Sequence, residues 1–505
     1  VTTIWPLALH SALPIAQQEY VFKKTPRNTV KVVFSTNIAE TSITVTDITY
    51  VIDTGKVKEM RYDAARKMSM LVETFTSRAA STQRSGRAGR VAEGVCYRLF
   101  SRRKWQKGML SHQEPEIRRT GLDYLILQLK LFPLPSVRND KGAKDLTAEE
   151  ALSLAIQPPP TESILSSVEF LRKIEALERG ETENLTPLGR HLAKLPVGNV
   201  QVGKMVLLSA ILGCVSPIVT IAAMLTARSP FVSPSDKREE ANAARDEFKT
   251  GKSDHLTLYS VFQSFSEAEA RGSKAAKKFC QRSFLSYSTL RVIGPTIGQY
   301  LQALADSGFL PGAKSSRLRS AGTKAVPATF DRNSKSDRVV CAVIAAGLYP
   351  NILKLKAPKR MIRTAYGAVP AENTAKELKF YTKSHGRAFL HPRSVNFSEK
   401  AFETTWLAYS QMVQTSKMYV HDSTQVAPYP LLLFGDVPQI DVQNKAIAVD
   451  SWIRFSAPGR IAVLVRALRE ELAHLLATKL EHPATDVTDA PVTKAILKLL
   501  ISNGY

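Results

Sequence analysis

The sequence predicts a multidomain chain: a parallel α/β domain first, mainly helical modules next, and a strand-rich module near the carboxyl end. Three observations carry this. Residues 1 to about 114 alternate short apolar strands with helical segments, as a parallel sheet requires. From Leu185 to about Leu304 the apolar spacing is helical, and from Arg338 to Phe434 short strands dominate. At 505 residues the chain has room for about three or four domains, each with its own core. A hydrophobic share of 44% with 23% charged residues excludes a disordered tail.

Taken in order, Val32 to Phe34 reads as a buried strand that delivers Ser35, Thr36 and Asn37 at its carboxyl end, where open α/β sheets bind ligands. Glu40, Thr41 and Ser42 then cap or open a helix and offer hydroxyls and backbone N–H groups to a phosphate. A second buried strand, Ile48 to Asp53, ends at Thr54-Gly55. Residues 115 to about 180 are mainly helical, and a charged patch runs from Ser235 to Lys252. Gly312 to Lys324, rich in Gly, Ser and basic residues, reads as a mobile insertion or linker. Arg460 to Leu480 has apolar residues on one helical face and is expected to dock as a helix.

The segment Gln83-Arg-Ser-Gly-Arg-Ala-Gly-Arg90 spaces three arginines with small residues. Guanidinium forks are planar, always charged and able to donate two hydrogen bonds to phosphate oxygens at once. Such groups stabilise the charge that grows on a phosphoryl group in transfer. A basic, solvated helix face is the plainer reading of an arginine cluster.

Ser35-Thr-Asn-Ile-Ala-Glu-Thr-Ser42, followed about forty residues later by the arginine octet, resembles motifs V and VI of the DEAH-box/RNA-helicase-A family. The resemblance extends along the chain. Leu9 to Gln18 resembles the segment before motif V in the second RecA-like domain, and Glu116 to Lys130 the start of a degenerate winged helix. Leu185 to Pro196 resembles the opening of the helical ratchet. Ala345–Ile352, Leu390–Phe397 and Tyr429–Gly435 resemble parts of an OB-fold. Trp452 to Val463 is similar to the RNA-helicase-A-like branch, with the members linked to translation initiation nearest. The implied domains are a RecA-like domain over 1–114, a winged helix over 115–182, a helical ratchet over 183–310, a flexible basic insertion over 311–337, an OB-fold over 338–440 and a helical extension over 441–505. Lys56 to Glu73 resembles the family's projecting β-hairpin.

The resemblance implies ATP, or another nucleoside triphosphate, with Mg²⁺ as the nucleotide. Arg87 and Arg90 match the two arginine fingers, and Gln83 the residue that helps place the attacking water. Arg84 either reads phosphate or pairs with a carboxylate such as Asp53. Gly86, with Gly89, matches positions that permit close packing against the partner RecA-like domain. Ser42 and Thr44 match positions near the ribose; Thr46 followed by Asp47 departs from the family's acidic residue two places after Thr44. Phe22 either stacks on the base or fills a core. For RNA, Ser11, Asn37 and Thr41 match backbone-gripping positions, which fit any sequence. His391, Arg393 and Ser394 are further candidates, as is the run Lys354, Lys356, Lys359 and Arg360, whose alternative is a solvated edge strand.

The family's Gly-x-x-x-x-Gly-Lys-Ser/Thr and Asp-Glu-x-His motifs are not in the sequence. Gly198 to Met205 comes near the first, but Met205 stands where a Mg²⁺-holding hydroxyl belongs. We therefore expect the phosphate loop, and the main hold on the metal, upstream of Val1. The net charge of +24 favours a polyanionic partner, here single-stranded RNA in a tunnel, with a ribosome, another ribonucleoprotein or a protein activator as further partners. Four widely separated cysteines and nine histidines without ligand spacing suggest reduced thiols, no structural metal and a cytoplasmic setting, with nuclear and organellar ones open. Met205 to Leu225 carries no charge and is long enough to span a bilayer, but Gly213 and Pro217 divide it, and two buried helices broken at Ser216-Pro217 are expected. The function expected is an ATP-dependent 3′ to 5′ RNA helicase. The rivals are a catalytically inactive helicase-like RNA-binding scaffold in a ribonucleoprotein particle such as a ribosome or its precursor, and a DNA helicase of similar architecture.

Overall fold

The computed structural model describes residues 3–10, 13, 15–41, 43–63, 68–91, 93–132, 146–180, 183–234, 236–358, 361–364, 367–370 and 373–503. They divide into two units, one of residues 1–63, 69–120 and 232–238, the other of 64–68, 121–231 and 239–505.

In the first unit, strands Thr3–Leu9 and Thr29–Ser35 pair in parallel, from Thr3 opposite Thr29 to Leu9 opposite Ser35. Tyr50–Asp53 and Val95–Arg98 form a second parallel pair. Both deliver chemistry at their carboxyl ends: Ser35 leads into the helix Ile38–Thr41, and Asp53 faces the helix Arg78–Ser85. Strands Lys56–Asp63 and Met68–Phe75 are neighbours, as the hairpin expectation required.

In the second unit, local chemistry sets the helix ends. Thr147 and Glu150 form a reciprocal capping box at the start of Ala148–Ser153. Thr186 caps Pro187–Lys194, with Pro187 in the first turn. Asn199 accepts from the backbone N–H groups of Gln201 and Val202 and opens the helix Val200–Leu212. The near-Walker segment is therefore a helix start. The uncharged stretch does form two buried helices, Val200–Leu212 and Val215–Thr226, but the break falls at Gly213, not at Ser216-Pro217. Gly213 takes a left-handed φ of 67°, which ends the first helix, and Pro217 sits in the first turn of the second. Among the described residues no helix is long and apolar enough to cross a membrane.

Two expectations are corrected. The presumed flexible segment 311–337 contains the helix Ser315–Ala321 and two 3₁₀ turns, because Leu318 and Phe330 are buried and anchor it. The strand-rich region is preceded by the helix Asp337–Leu348, whose β-branched residues Val339, Val340, Val343 and Ile344 are buried on all sides. That helix lies against Val200–Leu212 so closely that a Cβ on Gly347 would stand 2.4 Å from Met205 Cβ. Gly347→Ala is expected to cost about 1–3 kcal/mol by overpacking, read as a lower midpoint in chemical denaturation.

Strands Ile352–Lys356, Lys379–Thr382, Gly386–Leu390, Trp406–Gln414 and Met418–Gln425 pair in the order fifth–third–second–first–fourth, and the fifth returns to the fourth, closing a barrel. The expected helical extension begins instead with a three-stranded sheet, Gln439–Asp441, Ala446–Val449 and Ile453–Ser456. The helices Gly459–Glu481 and Pro491–Ser502 follow. Trp406 of the barrel, Val449 and Ile453 of the small sheet, and Ala462 and Val465 of the long helix share one core.

A buried polar joint ties the ratchet to the barrel. Asp254, in the first turn of Asp254–Ala270, accepts from Ser394 Oγ at 2.5 Å, Val395 N at 2.7 Å and Ser423 N at 2.8 Å. Ser253 Oγ and His255 Nδ1 each lie 2.6 Å from Thr424 Oγ1. Burial pushes the Asp254 carboxyl up to about 6 and the His255 imidazole down to about 3.

Candidate functional site

The motif residues of the first unit converge through charge. Asp53, 3% exposed at its strand end, accepts from Gly55 N at 2.9 Å, Ser81 Oγ at 2.6 Å and Arg84 Nη1 at 2.9 Å. Arg84 also gives Nε to Glu40 at 3.0 Å and Nη1 to the Lys56 carbonyl at 3.2 Å. Of its two readings, pairing with a carboxylate is therefore the one the structure displays. Arg84 locks helix Arg78–Ser85 onto helix Ile38–Thr41 through Glu40 and onto the strand end at Asp53. Arg84→Ala strips the buried Asp53 of its cation, and we expect about 3 kcal/mol of destabilisation, seen as faster amide exchange in Arg78–Ser85.

Arg87 and Arg90 lie past the end of that helix, and both reach back to the segment from Glu40 to Thr44. Arg87 Nη1 donates to the Ile43 carbonyl at 3.2 Å and Nη2 to the Glu40 carbonyl, while its buried Nε has no partner among the described residues. Burial, then the neighbouring Arg90, holds the Arg87 pKa below its usual value. Arg90 Nη1 donates to Thr44 Oγ1 at 3.1 Å. Two adjacent cations, one with an unspent buried N–H, suit an incoming polyanion, so these residues fit the nucleoside triphosphate that the motifs imply.

The remaining nucleotide candidates are placed as follows. Gln83 is exposed on its helix. Phe22, at the end of the 3₁₀ turn Glu19–Phe22, is 55% exposed and so fills no core. Thr46 is exposed, and Asp47 beside it is paired to Lys31 at 2.7 Å. A Cβ on Gly86 would meet Gln83 O at 3.5 Å, an ordinary contact, and one on Gly89 would meet nothing within 4 Å. Neither glycine is thus required by the described residues. Ser42 lies outside the described residues. Among those described, no three metal-ligating side chains cluster.

For nucleic acid, Asn37 and Thr41 are exposed at the two ends of helix Ile38–Thr41, and Ser11 lies outside the described residues. In the barrel, Lys354 Nζ sits 5.2 Å from the Trp406 ring centre and Lys356 Nζ 4.8 Å from that of Tyr381. Lys359 and Arg360 lie outside the described residues. Arg393 is exposed, and its backbone N–H donates to His391 Nδ1 at 3.1 Å. His391 stacks on His421 at 4.3 Å, and burial together with His421, Arg393 and Arg245 lowers it to about 4. Ser394 is buried with its hydroxyl on Asp254, so its side chain serves the joint to the ratchet.

Sequence reasoning missed Glu40 and Ser81. Glu40 was read as a helix-capping residue. Its position in the segment that meets the arginines was the available signal.

Five family models match in order. They are the helicase conserved C-terminal domain over 5–92, the winged-helix and ratchet-like parts of the helicase associated domain over 167–197 and 199–258, the OB-fold over 340–437, and the C-terminal domain in RNA helicases over 445–502. The chain is 39% identical over 504 residues to the ATP-dependent DNA/RNA helicase DHX36 of Bos taurus, covering 98% of this chain and 46% of that protein. It is 39% identical over 506 residues to the putative ATP-dependent RNA helicase DHX57 of Mus musculus, covering 98% and 36%. To the DExH-box ATP-dependent RNA helicase DExH1 of Arabidopsis thaliana it is 38% identical over 503 residues, covering 99% and 46%. The chain thus spans less than half the length of these relatives. With the motif geometry, the ordered modules and this identity along nearly its whole length, the chain belongs to the DEAH-box/RNA-helicase-A family and carries its second RecA-like, winged-helix, ratchet and OB-fold modules.

Proposed function

We propose that this chain supplies the arginine-finger half of an ATPase that moves the complete protein along single-stranded RNA in the 3′ to 5′ direction. The observation that carries the reading is the reach of Arg87 and Arg90 onto Glu40, Ile43 and Thr44. Those residues adjoin Asn37 and Thr41, the candidates for gripping phosphates and sugars. One segment is therefore held by the two side chains that would read the triphosphate.

Bound ATP with Mg²⁺ supplies the transferable γ-phosphoryl group. Arg87 and Arg90 then turn their donors from backbone carbonyls and the Thr44 hydroxyl to phosphate oxygens, and Gln83 orients water. Arg84 stays fixed on Asp53 and Glu40 and keeps the helix in place. Spending the arginine donors on phosphate frees Glu40 at the end of helix Ile38–Thr41, and Ile43 and Thr44 beyond it. Releasing the phosphate restores their tether, and the alternation shifts the strand grip. Polarity is carried over from the family. The target is an RNA or ribonucleoprotein, including a ribosome, with a protein activator as regulator.

The inactive-scaffold reading is disfavoured by the intact pair of fingers. A DNA strand is the second reading, because the DHX36 relative is a DNA/RNA helicase by name and backbone contacts carry no base information. The test is strand displacement by the complete protein with ATP on duplexes bearing a 3′ or a 5′ single-stranded tail, each tail as RNA or DNA. We expect displacement from the 3′ RNA tail. Displacement only from a DNA tail transfers the reading to DNA, and displacement only from the 5′ tail overturns the polarity.

A further inference from the structure

We infer that helices Ser273–Arg282, Tyr287–Asp306 and Ser315–Ala321 build a basic strip that docks the phosphate backbone of double-stranded RNA. This site presupposes the nucleic-acid reading above and adds a second ligand class, paired strands in place of an unpaired one.

Residues 271–324 hold ten Lys and Arg against one carboxylate, Asp306, a surplus of nine out of the chain's +24. All ten cations are exposed, and among the described residues none forms an ion pair. Asp306 accepts from the Ser315 hydroxyl at 2.7 Å. A surface that serves solubility alone intersperses both signs. Crowding one sign costs self-repulsion, which a polyanion relieves.

The helices set these charges in line. Tyr287, Arg291, Gly298 and Gln302 fall on one stripe of helix Tyr287–Asp306, at i, i+4, i+11 and i+15. At its start Tyr287 packs on buried Phe265, with Lys277 at 5.6 Å and Arg291 at 6.0 Å from its ring centre. About 22 Å further along the axis, Arg319 donates to Gln302 Oε1 at 3.1 Å. A Cβ on Gly298 would stand 2.3 Å from the Arg319 carbonyl oxygen, so glycine admits helix Ser315–Ala321 onto the stripe. Leu318, fully buried, holds it there. The segment rich in Gly, Ser and basic residues is thus seated, and its charges are placed before a ligand arrives.

No aromatic residue from 271 to 324 is exposed, and Val292 is the one exposed large aliphatic side chain there. Unpaired bases therefore find no ring to stack on, and a protein partner finds no apolar centre. Backbone recognition is what the strip offers. A duplex is held in that way, with its bases turned inward and the phosphates of two strands presented along one length.

Fluorescence anisotropy of the full chain with a labelled blunt-ended RNA duplex, which offers no unpaired tail, tests the strip. Two variants with equal loss of charge are compared. One carries Lys274→Gln, Lys278→Gln, Arg282→Gln, Lys314→Gln and Arg317→Gln, at side chains without a partner among the described residues. The other removes five exposed cations elsewhere, by Lys194→Gln, Lys335→Gln, Arg454→Gln, Arg460→Gln and Lys498→Gln. The strip variant should bind the duplex at least about tenfold more weakly, with a salt slope smaller by about three or more. It should keep a single-stranded oligouridylate within about twofold of native, and the second variant should keep the duplex within about threefold. Equal loss of duplex binding in both variants, or equal loss of duplex and single strand in the strip variant, overturns the strip. So does polyglutamate that displaces the labelled duplex as well as unlabelled duplex of equal charge, which assigns the face to an acidic protein. A native chain that binds the single strand but no duplex overturns the strip and leaves the proposed function standing. One that binds neither overturns both.

Discussion

Replacing Arg87 by alanine in the complete protein is expected to lower RNA-stimulated ATP turnover by about 10³-fold or more, the effect of removing an arginine finger. Two losses combine. The transferring phosphoryl group loses a planar donor that lysine cannot reproduce, so Arg87→Lys should recover little. The carbonyls of Glu40 and Ile43 also lose their tether, and the segment that bears Thr41 loosens. RNA affinity without nucleotide should therefore fall as well, by only a few-fold, because phosphate contacts elsewhere persist. Steady-state turnover with strand binding measured in parallel separates the two. Full turnover in Arg87→Ala contradicts the finger role. Arg84→Ala provides the contrast, since its donors serve Asp53 and Glu40 and its main effect is on stability.

The second large effect falls on Asp254. Asp254→Ala leaves the backbone N–H groups of Val395 and Ser423 buried without an acceptor, at about 1–3 kcal/mol each. We expect a loss of about 3 kcal/mol or more, and disengagement of the Leu390–Phe397 segment from the ratchet, seen as faster amide exchange there. The pH dependence has a definite sign. The folded pKa of Asp254, at about 6, exceeds its ordinary value of 3.8, so its own contribution favours folding at acid pH and is lost as pH rises through 6. His255 works oppositely: held near 3 against an ordinary 6.5, it contributes stability above pH 6.5 that is lost as pH falls. His391 and His421 are lowered too and add to that acid loss. The second unit should therefore weaken on acidification from pH 7 to pH 5. Asp254→Ala should steepen that decline, because the opposing proton uptake is gone. A flatter profile in the variant contradicts the assignment.

Much of the first unit was legible because its signals are local. The β-branched runs gave the strands, although Phe34 and Ile52 are exposed where buried strands were expected, and the motif spacing brought Gln83–Arg90 onto the segment after Thr36. The reading of Arg84 as a partner of Asp53 needed only a buried carboxylate at a strand end. Misreadings arose where burial outweighed composition. Gly312 to Lys324 looks like a linker by its Gly, Ser and basic content, yet Leu318 is enough to seat a helix. Val339 to Leu348 has strand-like composition but is enclosed on all faces, where periodicity no longer separates helix from strand. The joint at Asp254 was illegible in principle: its partners Ser394 and Ser423 are 140 and 169 residues away. Ser394 accordingly carried the appearance of a surface contact until its hydroxyl was located on a buried carboxylate.

Because Arg87 and Arg90 hold the segment that adjoins Asn37 and Thr41, occupancy of the strand site is expected to accelerate the chemistry. The most direct measurement is ATP turnover by the complete native protein with and without single-stranded RNA at saturating ATP. RNA is expected to raise turnover well above the RNA-free rate. Tight RNA binding with no turnover in either condition would contradict it and leave an ATP-independent scaffold in its place.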